Sequence, residues 1–204
     1  MKDKTENPSE GLEPRDHTDR PVRADAQRNI NALLQSAMTV FATSGVDAPV
    51  REIAEKAGVG VGTLYRHFPQ RSDLIEAVFR QEVDACADAA EKLSTQYEPG
   101  EALARWMQRY VDFIAAKRGL AAALHSGNPA YETLPAYFDK RLNPALRTLL
   151  DTAAAAGEVR ADVEPDELLR AVASLSAAGH KGNAMQARQM VALLVDGLRY
   201  RATL

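Results

Sequence analysis

Ile30, Leu33, Leu34, Ala37, Met38 and Phe41 recur three, four, seven and eight residues apart, laying one apolar face along a helix over about 24–44. Gly45 ends that helix. A short helix is predicted over about 50–57 and another over about 61–67, stopped by Pro69. Ser72 reads as the N-cap of a long fourth helix reaching about 94, with Leu74, Ile75, Val78, Phe79 and Val83 on its inner face. After a break at 97–100, Leu103, Trp106, Met107, Tyr110, Val111 and Ile114 mark a strongly amphipathic fifth helix. A short apolar helix over 119–125 follows, then a helical stretch over about 131–156 with a kink expected at Asn143-Pro144. Gly157 closes it, Pro165 opens a helix to about 178, and a last one covers about 183–201. Residues 1–22 are polar and without period, as a disordered tail would be. With no strand pattern and no internal repeat, the chain reads as all-α, with about nine helices.

Composition narrows this picture further. Of the 204 residues 46% are hydrophobic, which is enough to bury a sizeable core. The formal charge of −3 argues against a surface that coats nucleic acid indiscriminately. Residues 20–80 nevertheless hold eight Lys and Arg against six Asp and Glu, the one net-positive part of the chain. A single cysteine, Cys86, excludes an intrachain disulfide and any multi-cysteine metal site. No apolar run is long enough to span a membrane and the N-terminus lacks a signal core, so a cytoplasmic protein without membrane association is expected.

The segment 53–68 carries the most specific signal. Ala54 is small where a second helix must pack closely on a first. Gly58 admits the positive φ of a tight interhelical turn, and Leu64 falls on the inward face of the next helix. Those offsets define a helix-turn-helix and leave the outer face of 61–67 free to enter a DNA major groove. Arg20 and Arg23, beside the first helix, are placed to touch phosphate, and Arg51 opens the second helix.

Ile30, Ala37, Phe41 and Gly45, then Val50-Arg51-Glu52-Ile53-Ala54, Gly58-Val59, Gly62-Thr63-Leu64-Tyr65-Arg66-His67-Phe68, Leu74 and Ala77-Val78 together resemble the tetracycline-repressor (TetR-type) family of bacterial regulators. The block Ala156–Asp162 with Pro165 looks like the C-terminal domain of a branch of that family. The resemblance implies an N-terminal three-helix DNA-binding domain over 23–80 and a C-terminal effector-binding and dimerisation domain over 81–204. It makes 61–67 the recognition helix, with Val61, Gly62 and Thr63 at base edges and Tyr65 and His67 on phosphates. Arg71 stands where many members have a lysine that meets phosphate, whereas Pro49-Val50 replaces a threonine often found there.

For the C-terminal domain the resemblance implies a ligand cavity walled by Trp106, Met107, Tyr110, Phe113, His125, Tyr137 and Phe138. Such walls suit a small apolar or aromatic effector. It also implies a four-helix dimer interface built from Leu168, Val172, Leu175, Val191, Leu194 and Leu198. The four histidines are scattered, so no metal pair, cofactor or catalytic constellation is implied beyond a remote pairing of His125 with His180. The expected function is that of a homodimeric repressor released from a near-palindromic DNA operator by a small ligand. Two alternatives stay open: a regulator switched by a partner or by oxidation of Cys86, and a helical carrier or enzyme with a vestigial helix-turn-helix.

Overall fold

The computed structural model describes the backbone of residues 19–178 and 184–200, and side chains over 27–177 and 185–200. The described residues form nine α-helices and no strand. Helix α1 (Asp19–Ser44) starts earlier than the apolar period indicates. Its first turns, Asp19-Arg20-Pro21-Val22-Arg23, carry no apolar stripe for a period to detect. Pro21 is tolerated there because the first helical N–H groups have no partner to lose. The rest of the expected tail, and His180, lie outside the described residues.

Helices α2 (Val50–Lys56) and α3 (Val61–His67) stand where the pattern puts them. Gly58 takes φ +69°, its N–H donates to the Glu55 carbonyl at 3.1 Å, and the Val59 N–H donates to Ala54 at 3.0 Å. The turn is thereby closed by backbone bonds that require a left-handed residue. Ile53, Ala54, Leu64 and Phe68 are buried beneath it against α1. Helix α4 (Arg71–Gln96) is capped by Gln70 and not by Ser72. The Asp73 carboxylate accepts the Gln70 backbone N–H at 2.8 Å, which fixes the helix start one turn ahead of it.

Helix α5 (Pro99–Lys117) runs through the middle of the C-terminal half. The Glu158 carboxylate, from the loop after α7, accepts the Gly100 N–H at 2.9 Å and closes its N-terminus. A 3₁₀ turn (Arg118–Leu120) and the short α6 (Ala121–Leu124) follow. Helix α7 (Leu134–Ala155) continues through Pro144, and the stretch expected to begin it instead holds a separate turn at Pro129–Tyr131. Helices α8 (Pro165–Ala178) and α9 (Ala184–Arg199) pack on α5. The Arg160 N–H ties the α7–α8 loop to the Leu198 carbonyl at 2.8 Å. Among the described residues no helix is long and apolar enough to cross a membrane.

The two halves meet at one tight contact. A β-carbon at Gly119 would lie 2.5 Å from the Phe41 carbonyl oxygen and 2.9 Å from the Ala42 Cα. Only glycine lets the 3₁₀ turn seat on the C-terminal end of α1 at this separation. Both obstacles are backbone, so they have no side-chain route of escape. Gly119→Ala is therefore expected to cost about 1–3 kcal/mol of stability in denaturant unfolding. Gly62→Ala, inside α3 with open space around it, is expected to be neutral or to stabilise by up to about 1 kcal/mol. Equal behaviour of the two variants would show that the junction is plastic.

Candidate DNA-reading face and effector cavity

Leu64 and Phe68 pin α3 from below, and the residues between them point outward. Tyr65 is 49% exposed, Val61 and Gly62 are exposed, and Thr63 and His67 are half-buried. Arg51 and Arg66 are exposed on the same domain. The set Arg51, Val61, Gly62, Thr63, Tyr65 and His67 thus lies accessible on two short helices held by a common core. Arg23 lies in α1 with its side chain outside the described residues. Arg71 departs from expectation. Its guanidinium donates to the Val46 carbonyl and, at 2.8 Å, to the Ala48 carbonyl. It braces the loop between α1 and α2, and those N–H groups are not turned to phosphate. The carbonyls needing a donor come from a loop 23 and 25 residues earlier in the chain, which sequence spacing does not reveal.

The cavity lies between α5, the 118–125 segment, α7 and α8, with a volume of about 500 Å³. Tyr110, Phe113, His125 and Phe138 line it as expected, together with Ile114, Lys117, Arg118, Asp139, Asn143, Asp166, Leu169 and Arg170. The ring centroids of Tyr110 and Phe113 are 5.9 Å apart at 13°, and Phe138 lies 5.9 Å from Phe113. Burial pushes the Tyr110 phenol well above its usual range, so it stays protonated. A second, smaller space of about 260 Å³ shares Lys117, His125, Phe138 and Asp139 with the first.

Three expected wall residues are elsewhere. Trp106 and Met107 are fully buried in the core, and the Trp106 indole N–H donates to the Cys86 carbonyl at 2.8 Å. Tyr137 faces α4, where its hydroxyl donates to Asp84 at 2.6 Å beneath the Arg80 guanidinium. Arg141 bonds the same Asp84 at 2.7 Å and Asp88 at 2.7 Å, tying α7 to α4. An aromatic stripe on one helix serves several directions at once, and only the Tyr110–Phe113 side of this one meets open space.

The cavity also holds polar groups that periodicity does not reveal. The Lys117 ammonium has no hydrogen-bond or ion-pair partner among the described residues. It lies 5.8 Å from the Phe79 ring centroid and 5.9 Å from that of Phe138. Burial lowers its pKa below the ordinary lysine value. The Asn143 Oδ1 is buried without a partner. By contrast, Arg118 donates to the Ser176 carbonyl, and Arg170 pairs with Asp166 at 2.7 Å. No cluster among the described residues has the ligands to hold a metal ion.

The expected interface residues need correction too. Leu168, Val172, Val191 and Leu198 are at most 5% exposed, buried in the chain's own core, while Leu175 and Leu194 lie at its edge. The strongest apolar period of an amphipathic helix goes to its own core first. The exposed apolar surface lies on the other side of α9: Leu193 is 62% exposed and Met185 69%, with Met190 and Tyr200 beside them.

A helix-turn-helix presented by one small domain, beside a second helical unit that carries a cavity, is the architecture of a DNA-binding transcriptional regulator. Residues 98–200 match the family model described as the SbtR-like transcriptional regulator C-terminal domain, and residues 33–78 match that of the bacterial regulatory proteins of the tetR family. The chain belongs to the TetR family of transcriptional regulators. It is 38% identical to the TetR transcriptional regulator SCO0520 from Streptomyces coelicolor, with a TM-score of 0.75 over 85% of this chain and 99% of that one. LfrR from Mycobacterium smegmatis, solved in complex with proflavine, is 25% identical, with a TM-score of 0.63 over 87% of this chain and 99% of that one. An HTH-type transcriptional regulator of Staphylococcus aureus is 28% identical over 109 residues, 52% of this chain. The match spans 59% of that curated relative's length.

Cys86 is fully buried, and desolvation pushes its thiol up to about 12. At pH 8 that leaves about a thousandfold less thiolate than an unburied cysteine carries. Iodoacetamide is therefore expected to leave the native protein unmodified over a time in which it fully alkylates the unfolded chain. Rapid alkylation of the native state would reopen the oxidation-switched reading.

Proposed function

We propose that the protein is a homodimeric repressor that holds a near-palindromic operator through α3 and lets go when a small, mostly apolar or aromatic molecule fills the α5–α8 cavity. The observation that carries this reading is the pairing of an exposed, firmly seated α3 face with a largely apolar cavity in one chain. Val61 and the Thr63 methyl suit thymine methyl groups, the Thr63 hydroxyl bonds either base type, and Tyr65, His67 and Arg51 position the backbone. Such a protein works beside the chromosome, in the cytoplasm.

The second copy is supplied through α9. Met185, Met190, Leu193 and Tyr200 form an apolar patch with small residues around it, Gly197 among them. Two such patches related by a two-fold axis would be self-complementary. The dimer sets two α3 helices about 34–36 Å apart, one turn of DNA. The effector acts by binding one inter-domain arrangement better than the other, and only that difference in affinity moves the equilibrium. The proflavine in LfrR supports an aromatic occupant for the cavity.

Selection of the purified protein against random duplex DNA at two salt concentrations is expected to recover a two-fold symmetric site. Unspecific, salt-sensitive binding alone would overturn the operator model. Leu193→Arg is expected to give a monomer at micromolar concentration by analytical ultracentrifugation and to lose the symmetric site. A dimer persisting in this variant would remove α9 from the interface.

A further inference from the structure

Lys117 is the one cavity-lining cation that the described protein leaves uncompensated. Arg118 is held by the Ser176 carbonyl, and Arg170 by Asp166. The two rings beside the Lys117 ammonium sit near the outer limit of a cation–π contact, roughly 6 Å. They do not replace the water that burial removes. Lys117 also lines both the larger and the smaller space, so a molecule in either one reaches it.

An apolar ligand entering here would strip the remaining water from the ammonium and return nothing for it, and a neutral amide would return one hydrogen bond but no counter-charge. A cationic ligand would add repulsion. A carboxylate would supply a counter-charge and charge-assisted hydrogen bonds to an ammonium that is already partly buried. The two acidic residues on the wall do not cancel this. Asp166 is neutralised by Arg170, and Asp139 is exposed to solvent, where its field is screened. We infer that the effector is an aromatic acid, its ring system among Tyr110, Phe113 and Phe138 and its carboxylate on Lys117. This rests on the cavity being the effector site, and it differs in charge from what a cavity suited to proflavine, a planar aromatic cation, would take.

The test is calorimetric titration of the full-length protein with 2-naphthoate, with its neutral isostere 2-naphthamide and with proflavine. The acid is expected to bind at least tenfold more tightly than the amide or the cation. In Lys117→Met the acid should lose its advantage and bind within threefold of the amide, while proflavine, which gains nothing from an ammonium, should bind no more weakly than before and so report an intact cavity. Lys117→Arg should keep the preference for the acid. Equal affinity for acid and amide in the wild type, or an acid preference that survives Lys117→Met, would overturn the anionic site and leave the effector cavity standing. Absence of binding by all three compounds at millimolar concentration would overturn the cavity reading itself, and this inference with it.

Discussion

An unbroken row of buried side chains along α4 couples the two halves of this molecule. Leu74, Ile75, Val78 and Phe79 close the core of the first three helices, and Val83, Cys86, Ala87 and Ala90 continue into the core around α5 and α7. A helix cannot bend between those two packings without breaking backbone hydrogen bonds or opening voids. The orientation of α3 is therefore tied to whatever sets the lie of α4. The Asp84–Tyr137–Arg141 network fastens α4 to α7 on one side, and the Trp106 indole fastens it to α5 on another.

The cavity lies further along the same face of α5 that carries the Trp106 fastening, one to three turns toward its C-terminal end. Its apolar wall is continuous with the core through the Trp106–Tyr110–Phe113 stack, whose successive centroids are 5.8 Å and 5.9 Å apart. A molecule inserted beside Tyr110 and Phe113 thus presses on a column of rings that is itself packed on α4. Close-packed interiors pass such displacement on instead of absorbing it locally. Lys117 and Asn143 show that the same wall is not a finished core, because each is a polar group left without the partner that a closed interior normally provides.

The helices were legible because their determinants are local. Gly45, Gly58 and Gly157 each stop a helix in the left-handed conformation, and the 3.6-residue period names the buried face of α1, α4 and α5. The exposed face of α3 was legible for the same reason: Leu64 and Phe68 mark its inside, so the rest of it is outside. What periodicity does not say is which neighbour a buried face meets. Trp106 and Tyr110 belong to one stripe, yet one reaches a carbonyl of α4 and the other a cavity. Leu198 and Leu193 lie on one helix, and only the weaker, more exposed position is available to another molecule. Arg71 reads as a surface cation until folding brings the distant carbonyls of Val46 and Ala48 within reach of its guanidinium.

Lys117, Arg118 and Gly119 are consecutive, and their tasks differ sharply. The first two form cavity wall, whereas the third rests on the backbone of α1, where a larger residue has no room without a shift of that backbone. Cavity lining and the seating of one half of the chain on the other are thereby assigned to neighbouring but separable positions. The same division separates what can be varied from what cannot: substitutions around the cavity leave the seat of residue 119 on α1 untouched.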